Sequence, residues 1–182
     1  MAHWEQAFEA LVQERGPALL RYAFFLTGSK AEAEDVLQDA LVKTFARGRA
    51  GQDLDFAEAY VRRAILNRSI DGHRGRQRWA GVSHLFARSE ALDGPEGGVA
   101  DHLDVVAALQ LLAPRERACA VLRFYEDLTV PQIARELDCS DGAVKRYLSD
   151  ALKGLEAHLG PVATPDPADH QAETATIDRS AR

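Results

Sequence analysis

A run of arginines is the most concentrated chemistry in this sequence. Residues 67–78 read NRSIDGHRGRQR and contain four guanidinium groups, at Arg68, Arg74, Arg76 and Arg78. The whole chain nevertheless has a formal net charge of −6. Guanidinium groups clustered on an acidic protein fit contact with phosphate, but a solvated charged face explains the same residues equally well. Residues elsewhere in the chain are needed to distinguish phosphate contact from a solvated face.

Polar residues in the same segment share a helical spacing. Asn67, Asp71 and Arg74 stand at positions i, i+4 and i+7, so one face of a helix would carry all three. Such a polar row can contact bases and phosphates together. Tyr60 lies upstream in the same segment. Its ring could stack on an unpaired base, and burial in the core is the alternative.

The elements that would position these residues are predicted to be helices. Apolar residues recur at helical spacing from about residue 8 to residue 45, and Thr27-Gly28 interrupts the pattern. Pro17 is expected at an early position of the first helix. The second helix begins with Ser29 and has Glu32 three residues later, which is the pattern of a capping box.

A third helix is predicted from about residue 56 to residue 74, after a loop at residues 47–55 that has two glycines and no apolar period. Six arginines against two carboxylates lie between residues 56 and 78, so the positive charge is local. The residues expected to be buried on this helix are Tyr60, Ala64, Ile65 and Ile70.

Composition changes after residue 79. Residues 80–103 are rich in glycine and acidic side chains, which is typical of a flexible linker, with one short helical turn expected around residues 84–87. Helical periodicity resumes at Asp104. The last 23 residues have three prolines, no aromatic residue and few large aliphatic residues, so a disordered tail is predicted.

Residues 128–159 have the pattern of a helix-turn-helix. Thr129 and Gln132 form a second capping box, and the short helix that they begin is expected to bury Ile133, Ala134 and Leu137. After three residues Ser140 is expected to cap a longer helix. A plain helical hairpin can imitate this spacing, but binding in the major groove of DNA is favoured. The inner stripe of the longer helix is expected to comprise Val144, Leu148, Leu152, Leu155 and Leu159.

Three quoted segments together resemble a known family. These are AEDVLQDALVKTF, AYVRRAILNRSIDGHRGRQR and LLAPRERACAVLRFYEDLTVPQIARELDCSDGAVKRYL, in this order. They are similar to the two-domain bacterial sigma factors of the extracytoplasmic-function group, most closely to the actinobacterial branch. The resemblance covers residues 5–78 and 104–159. It implies an all-α fold of two small helical domains joined by a flexible linker at residues 79–103, with a tail at residues 160–182.

The resemblance also implies roles for individual residues. An acidic helix face would bind core RNA polymerase through Asp35, Gln38 and Asp39. The loop at residues 47–55, with Arg47 and Arg49, would hold a base flipped from the non-template strand. The minus-ten promoter element would be melted and read by Tyr60, Arg62, Arg63, Asn67, Asp71, Arg74, Arg76 and Arg78. The minus-thirty-five element would be read by Ser140, Asp141, Ala143, Lys145, Arg146 and Tyr147.

Three features depart from the family pattern. Tryptophan is usual in the family at the position of Tyr60, so the departure bears on base stacking. Threonine is frequent at the position of Ala143, so this departure bears on base reading by the recognition helix. Residues 104–159 have seven basic against nine acidic side chains. A DNA reader with a net charge of −2 is expected to bind weakly by itself.

Other function classes remain as rivals. A free-standing helix-turn-helix regulator explains residues 128–159 but leaves the first domain's arginines unexplained, and a helical scaffold or anti-sigma protein would not support transcription. An enzyme is the least expected class, because no nucleophile, base and orienting acid can be nominated, and no cofactor or metal is expected. Cys119 and Cys139 are expected to pack in the core. The N-terminal segment lacks the apolar core of a signal peptide, so a cytoplasmic protein is predicted. The resemblance implies core polymerase, promoter DNA and an anti-sigma factor as partners.

Overall fold

A computed structural model describes residues 3–46, 54–77 and 99–160. These residues form seven α-helices and, among them, no strand, which confirms the all-α fold class. The helices are α1 (His3–Thr27), α2 (Lys30–Phe45), α3 (Leu54–Gln77), α4 (Val99–Leu111), α5 (Pro114–Phe124), α6 (Val130–Glu136) and α7 (Asp141–Leu159). Of the loop predicted at 47–55, the last two residues already belong to α3, so the helix begins earlier than predicted. Residues 47–53, the helical turn at 84–87 and the tail beyond residue 160 lie outside the described residues.

Helices α1, α2 and α3 pack against one another and form what we call the N-terminal bundle. The bundle is closed by aliphatic and aromatic side chains, and the rings of Phe8 and Phe45 meet edge to face with centroids 5.2 Å apart. Gly28 ends α1 with a φ of 76°, a conformation that favours glycine. Ser29 then caps α2, and its Oγ accepts a hydrogen bond of 3.5 Å from the Glu32 amide. The break predicted at Thr27-Gly28 is confirmed.

Two sequence expectations in this bundle were wrong. Pro17 lies in the middle of α1 and not near its start, because the helix already begins at His3. The buried face of α3 consists of Ala57, Val61, Ile65 and Leu66. Among the residues expected there, Ile65 is buried, while Tyr60, Ala64 and Ile70 are half-buried. Because Ala57, Val61 and Ile65 form the buried stripe, Tyr60 lies nearer the surface.

Helices α4 to α7 form a second group, the C-terminal bundle, in which α7 contacts α4, α5 and α6. The short helix α6 buries Ile133 and Ala134, as predicted. Gln132 Oε1 accepts hydrogen bonds of 2.8 Å from both the backbone amide and the hydroxyl of Thr129. Asp138 makes the turn with a φ of 49°, and Ser140 Oγ accepts from the Ala143 amide at 3.2 Å. The geometry is that of the predicted helix-turn-helix.

The inner stripe of α7 differs in part from the sequence expectation. Val144 and Leu155 are buried, and Leu148 and Leu152 are half-buried. Leu159 is 38% exposed, because it lies on the last helical residue, where α7 has passed beyond the helices that cover it. Ala151 is fully buried instead.

The two bundles also contact each other. α1 touches α4 and α5, and α3 touches α5. A buried arginine, Arg117, lies at this junction. Its backbone is part of α5, and its side chain reaches a carbonyl of α1. The buried core is therefore continuous through both bundles.

Candidate nucleic-acid interface

A groove of about 600 Å³ runs between α2 and α3 on the surface of the N-terminal bundle. It joins residues from two helices that the loop at 47–53 separates in sequence. The side chains that line it are Lys43, Tyr60, Arg63, Ala64, Asn67, Arg68 and Asp71. Four of these residues, at positions 60, 63, 67 and 71, were predicted as DNA contacts from the sequence, and the structure brings them together.

Helical geometry explains why these four residues meet. They follow one another at steps of three or four residues, so they share one face of α3. The opposite face carries Ala57, Val61 and Ile65, which are completely buried. Burial of that apolar stripe fixes the rotation of α3 and therefore directs the polar row outward.

The chemistry of the groove suits a polyanion with exposed bases. Three cations, Lys43, Arg63 and Arg68, stand against one carboxylate, Asp71. Lys43, Arg63, Asn67 and Arg68 are all exposed. Guanidinium and ammonium groups neutralise phosphates, while an amide can read base edges and an aromatic ring can stack on a base. The half-buried ring of Tyr60 has a surface available at the groove.

Two charged groove residues, Lys43 and Arg68, were not among the predicted contacts. Lys43 lies off the apolar stripe of α2, and Arg68 belongs to the arginine run, so both had a sequence signal. Their proximity depends on how α2 packs on α3, which the sequence does not specify locally. Arg68 also approaches the acidic face of α2, with its Nε 3.4 Å from Asp39 Oδ2. Because both side chains are about half exposed, this ion pair is weak.

Arg62 is the described residue of the predicted minus-ten set that lies away from the groove. Its Nε and Nη2 donate hydrogen bonds to Glu58 Oε1 at 2.9 and 2.8 Å, and its Nη1 pairs with Glu126 of the C-terminal bundle. Its guanidinium lies 5.4 Å from the centre of the Tyr22 ring. Burial by itself would lower the pKa of Arg62, but the two glutamates outweigh burial and raise it. Arg62 therefore remains charged and is occupied by protein carboxylates.

Other predicted contacts fall outside what the structure describes. Arg47, Arg49 and Arg78 belong to segments that are not described. Arg74 and Arg76 lie within α3, close to its end at Gln77, and their side chains are not described. They continue the same helix as the groove residues.

The predicted polymerase-binding residues lie together on the outer face of α2. Asp35, Gln38 and Asp39 are all exposed, while Val36 and Ala40 between and beside them are buried. The carboxylates therefore contribute nothing to the core. Asp39 shares its weak ion pair with Arg68, and both carboxylates remain exposed to a partner that carries positive charge.

The first turns of α7 present the predicted minus-thirty-five residues to solvent. Ser140, Asp141, Lys145 and Arg146 are exposed, and Ala143 and Tyr147 are half-buried. Arg146 stacks its guanidinium 5.2 Å from the Tyr147 ring centre, which orders both side chains. Asp141 complements the positive end of the helix dipole but would repel a phosphate. This surface contains few cations, so it suits base reading better than strong phosphate binding.

Within ranges 3–46, 54–77 and 99–160, no group of histidine, cysteine, aspartate and glutamate side chains could hold a metal ion. In that same part of the chain, no helix combines the length and the apolar character needed to cross a membrane. Cys119 is buried and Cys139 is half-buried against the core, as the sequence indicated.

Comparison with known proteins gives consistent matches over both bundles. Residues 11–79 match the family model for sigma-70 region 2, and residues 102–155 match that for sigma-70 region 4. The chain is 35% identical over 160 residues to the RNA polymerase sigma-E factor of Streptomyces avermitilis, covering 87% of this chain and 89% of that one. It is 34% identical over 152 residues to the sigma-E factor of Streptomyces coelicolor, covering 84% and 85%.

More distant matches agree with these. The ECF RNA polymerase sigma factor SigL of Mycobacterium tuberculosis is 28% identical over 158 residues, with 82% of this chain and 87% of that one covered. Among solved structures, the sigma factor RpoE of Bartonella quintana, in complex with the anti-sigma factor NepR, superposes with a TM-score of 0.63. That match covers 85% of this chain and 95% of the other at 24% identity, so it bears on the fold.

Proposed function

Since this chain belongs to the extracytoplasmic-function sigma factors of RNA polymerase, we propose that its surfaces divide the work of promoter recognition between the two bundles. The N-terminal bundle, with residues 5–78, binds core polymerase and opens the minus-ten element. The C-terminal bundle, with residues 104–159, binds the minus-thirty-five element. Residues 79–103 link the two, and residues 160–182 form a tail. The chain acts in the cytoplasm, where polymerase and promoter DNA are.

One observation carries this proposal: a cationic groove and a helix-turn-helix occur in the same chain. Arg63 and Lys43 supply phosphate contacts in the groove, and Asn67 supplies base contacts. Tyr60 stacks on a base that has left the duplex. A free-standing regulator needs only the helix-turn-helix, so the groove would have no purpose in it.

The acidic face of α2 is the proposed contact with core polymerase. Asp35, Gln38 and Asp39 are exposed and lie away from the bundle core. The chain takes no catalytic part, because phosphodiester chemistry belongs to the polymerase. An anti-sigma protein is a further partner, because the related Bartonella protein was solved in complex with one.

The function is tested by titrating labelled promoter fragments at one stated salt concentration, with and without core polymerase. The isolated chain should bind weakly, because the C-terminal bundle is net negative and neutralises few phosphates. Its affinity should therefore depend little on salt, since each neutralised phosphate contributes about −0.9 to the salt slope. On polymerase, tethering raises the local concentration to roughly millimolar, and weak base reading then selects the promoter.

Two controls make the titration decisive. A fragment with both promoter elements scrambled should not be selected on polymerase. Run-off transcription from the intact fragment should require both the chain and the core enzyme. Tight specific binding by the isolated chain, unaffected by polymerase, would instead indicate a free-standing regulator. Absence of binding in both tubes would indicate a scaffold.

A further inference from the structure

The side of α7 that points away from the C-terminal bundle carries small and charged residues. Burial of Val144, Ala151 and Leu155 fixes the rotation of the helix about its axis. Positions on the opposite side recur at steps of three or four residues and are exposed or half-buried. We call them the outward face of α7, and they are Gly142, Ala143, Arg146, Ser149 and Asp150. The last two extend the predicted minus-thirty-five surface by one helical turn.

The small residues of the outward face allow a close approach to DNA. A Cβ atom placed on Gly142 would meet, among the described residues, only Ser140 Oγ at 3.9 Å, so packing inside the protein does not require glycine there. Ala143 and Ser149 are small as well. The major groove of B-DNA is about 12 Å wide and admits one α-helix. A helix face without bulky side chains lies nearer the base edges, so even a short side chain such as aspartate reaches them.

Asp150 places a carboxylate on this face, where a phosphate would repel it. Its side chain is 45% exposed, and Lys153 Nζ lies 3.9 Å from its Oδ1, which is a weak pair at this exposure. In the major groove, cytosine N4 donates a hydrogen bond that a carboxylate accepts, whereas guanine and thymine present acceptors. Adenine N6 also donates, but the acceptor N7 beside it repels a carboxylate. Cytosine is therefore the base that matches Asp150.

We propose that Asp150 is a specificity-determining residue that selects cytosine in the minus-thirty-five element by accepting a hydrogen bond from the N4 amino group. This inference rests on the proposed function, because it assumes that α7 enters the major groove of that element. The carboxylate reads a base and takes no part in phosphate binding.

Arg146 supplies a second reading position on the same face. It lies four residues before Asp150, about 6 Å away along the helix axis. Its guanidinium is ordered against the Tyr147 ring and suits the O6 and N7 atoms of guanine. Successive base pairs are about 3.4 Å apart. The guanine read by Arg146 and the cytosine read by Asp150 therefore lie within about two base pairs of each other.

The test selects promoter fragments with a randomised minus-thirty-five element, using the full chain on core polymerase, and sequences the bound and unbound fractions. Asp150→Asn removes the charge at nearly constant shape. Glu156→Gln is the matched control, because it makes the same change of net charge on an exposed residue further along α7. Far-ultraviolet circular dichroism of each variant checks that the helices are retained.

The parent should prefer cytosine at one position by about fivefold to tenfold, the low end for a base-edge contact because one hydrogen bond is made. Asp150→Asn should lose this preference in favour of adenine, whose N6 and N7 pair with an amide. It should also bind scrambled fragments more tightly, because a negative charge near phosphates is removed. Glu156→Gln should keep the cytosine preference. Arg146→Ala should lose a guanine preference within about two base pairs of the cytosine.

The failure of this inference is distinguishable from failure of the proposed function. If the parent selects an upstream element and Asp150→Asn selects the same bases at every position, Asp150 does not determine specificity. A uniform gain in affinity with unchanged preference would show that the carboxylate only repels phosphates, and an equal loss of preference in Glu156→Gln would show an effect of net charge. Either result would overturn the inference. If the parent on core polymerase enriches no upstream sequence, the proposed function itself is wrong.

Discussion

Replacing Arg117 with methionine should destabilise the chain more than any surface change. The guanidinium donates to the carbonyls of Leu109, Gln110 and Leu112, to the Gln110 side chain and to the Leu26 carbonyl. Hydrogen bonds to a charged group contribute about 1.5–3 kcal/mol each when measured one at a time. Five such values do not add, because burying the charge costs energy and some carbonyls at a helix end will be hydrated after the substitution.

We therefore expect Arg117→Met to lower the free energy of unfolding by about 3–5 kcal/mol, a large part of the about 5–15 kcal/mol typical of a domain. Methionine keeps the aliphatic volume, so the loss reports the polar contacts rather than a cavity. Urea unfolding followed by far-ultraviolet circular dichroism measures the change.

Arg135→Met is the matched control. Arg135 is exposed on α6 and bonds only weakly to its own helix at the Pro131 carbonyl, 3.3 Å away, so the control should stay within about 0.5 kcal/mol of the parent. A loss below about 1 kcal/mol for Arg117→Met would refute the reasoning, because the carbonyls would then be satisfied equally well without the guanidinium.

Three further predictions concern the outer face of α2, the groove and the buried thiol of Cys119. Asp35→Lys with Asp39→Lys should abolish co-purification with core polymerase while unfolding changes by no more than about 0.5 kcal/mol; persistent binding would remove α2 as the docking face. Arg63→Ala should lower permanganate reactivity of the minus-ten thymines more than upstream protection, and the reverse order would indicate a duplex contact instead. Burial raises the pKa of the Cys119 thiol from its ordinary 9.0 to about 12. Iodoacetamide at neutral pH should therefore modify this thiol only after urea unfolds the chain, and mass spectrometry measures the modification. Because the folded pKa is the higher one, this thiol's contribution to stability is complete below pH 9 and should be lost as the pH rises toward 12, which urea midpoints at several pH values would detect.

Local signals were sufficient to predict the helix-turn-helix. Thr129 with Gln132 marks one helix start and Ser140 marks the next, and each acts through neighbours within three residues. The left-handed turn at Asp138 fits the known tolerance of aspartate for that geometry. Because each of these features depends on residues a few positions apart, the local sequence is sufficient to predict it.

The groove and the junction depend on packing between distant segments. The spacing indicated Asn67 and Asp71, and the family resemblance implied Tyr60 and Arg63, but Lys43 joins them only because α2 packs beside α3. Arg117 appeared as one charge in a helical segment. Its burial depends on carbonyls at the ends of α1 and α4. The periodicity of either helix does not predict that these two ends lie close together.

The long-range bond from Arg117 to the Leu26 carbonyl has a consequence for synthesis of the chain. The two residues are 91 positions apart, and a ribosome adds about 5–20 residues per second, so the partner of Leu26 is made between about 5 and 20 seconds later. Small helical bundles fold in microseconds to milliseconds. Each newly made molecule therefore passes through an interval in which α1 to α3 are folded and the junction with α5 does not yet exist. During that interval the Phe25 and Leu26 carbonyls at the end of α1 lack the hydrogen bonds that Gln110 and Arg117 later donate.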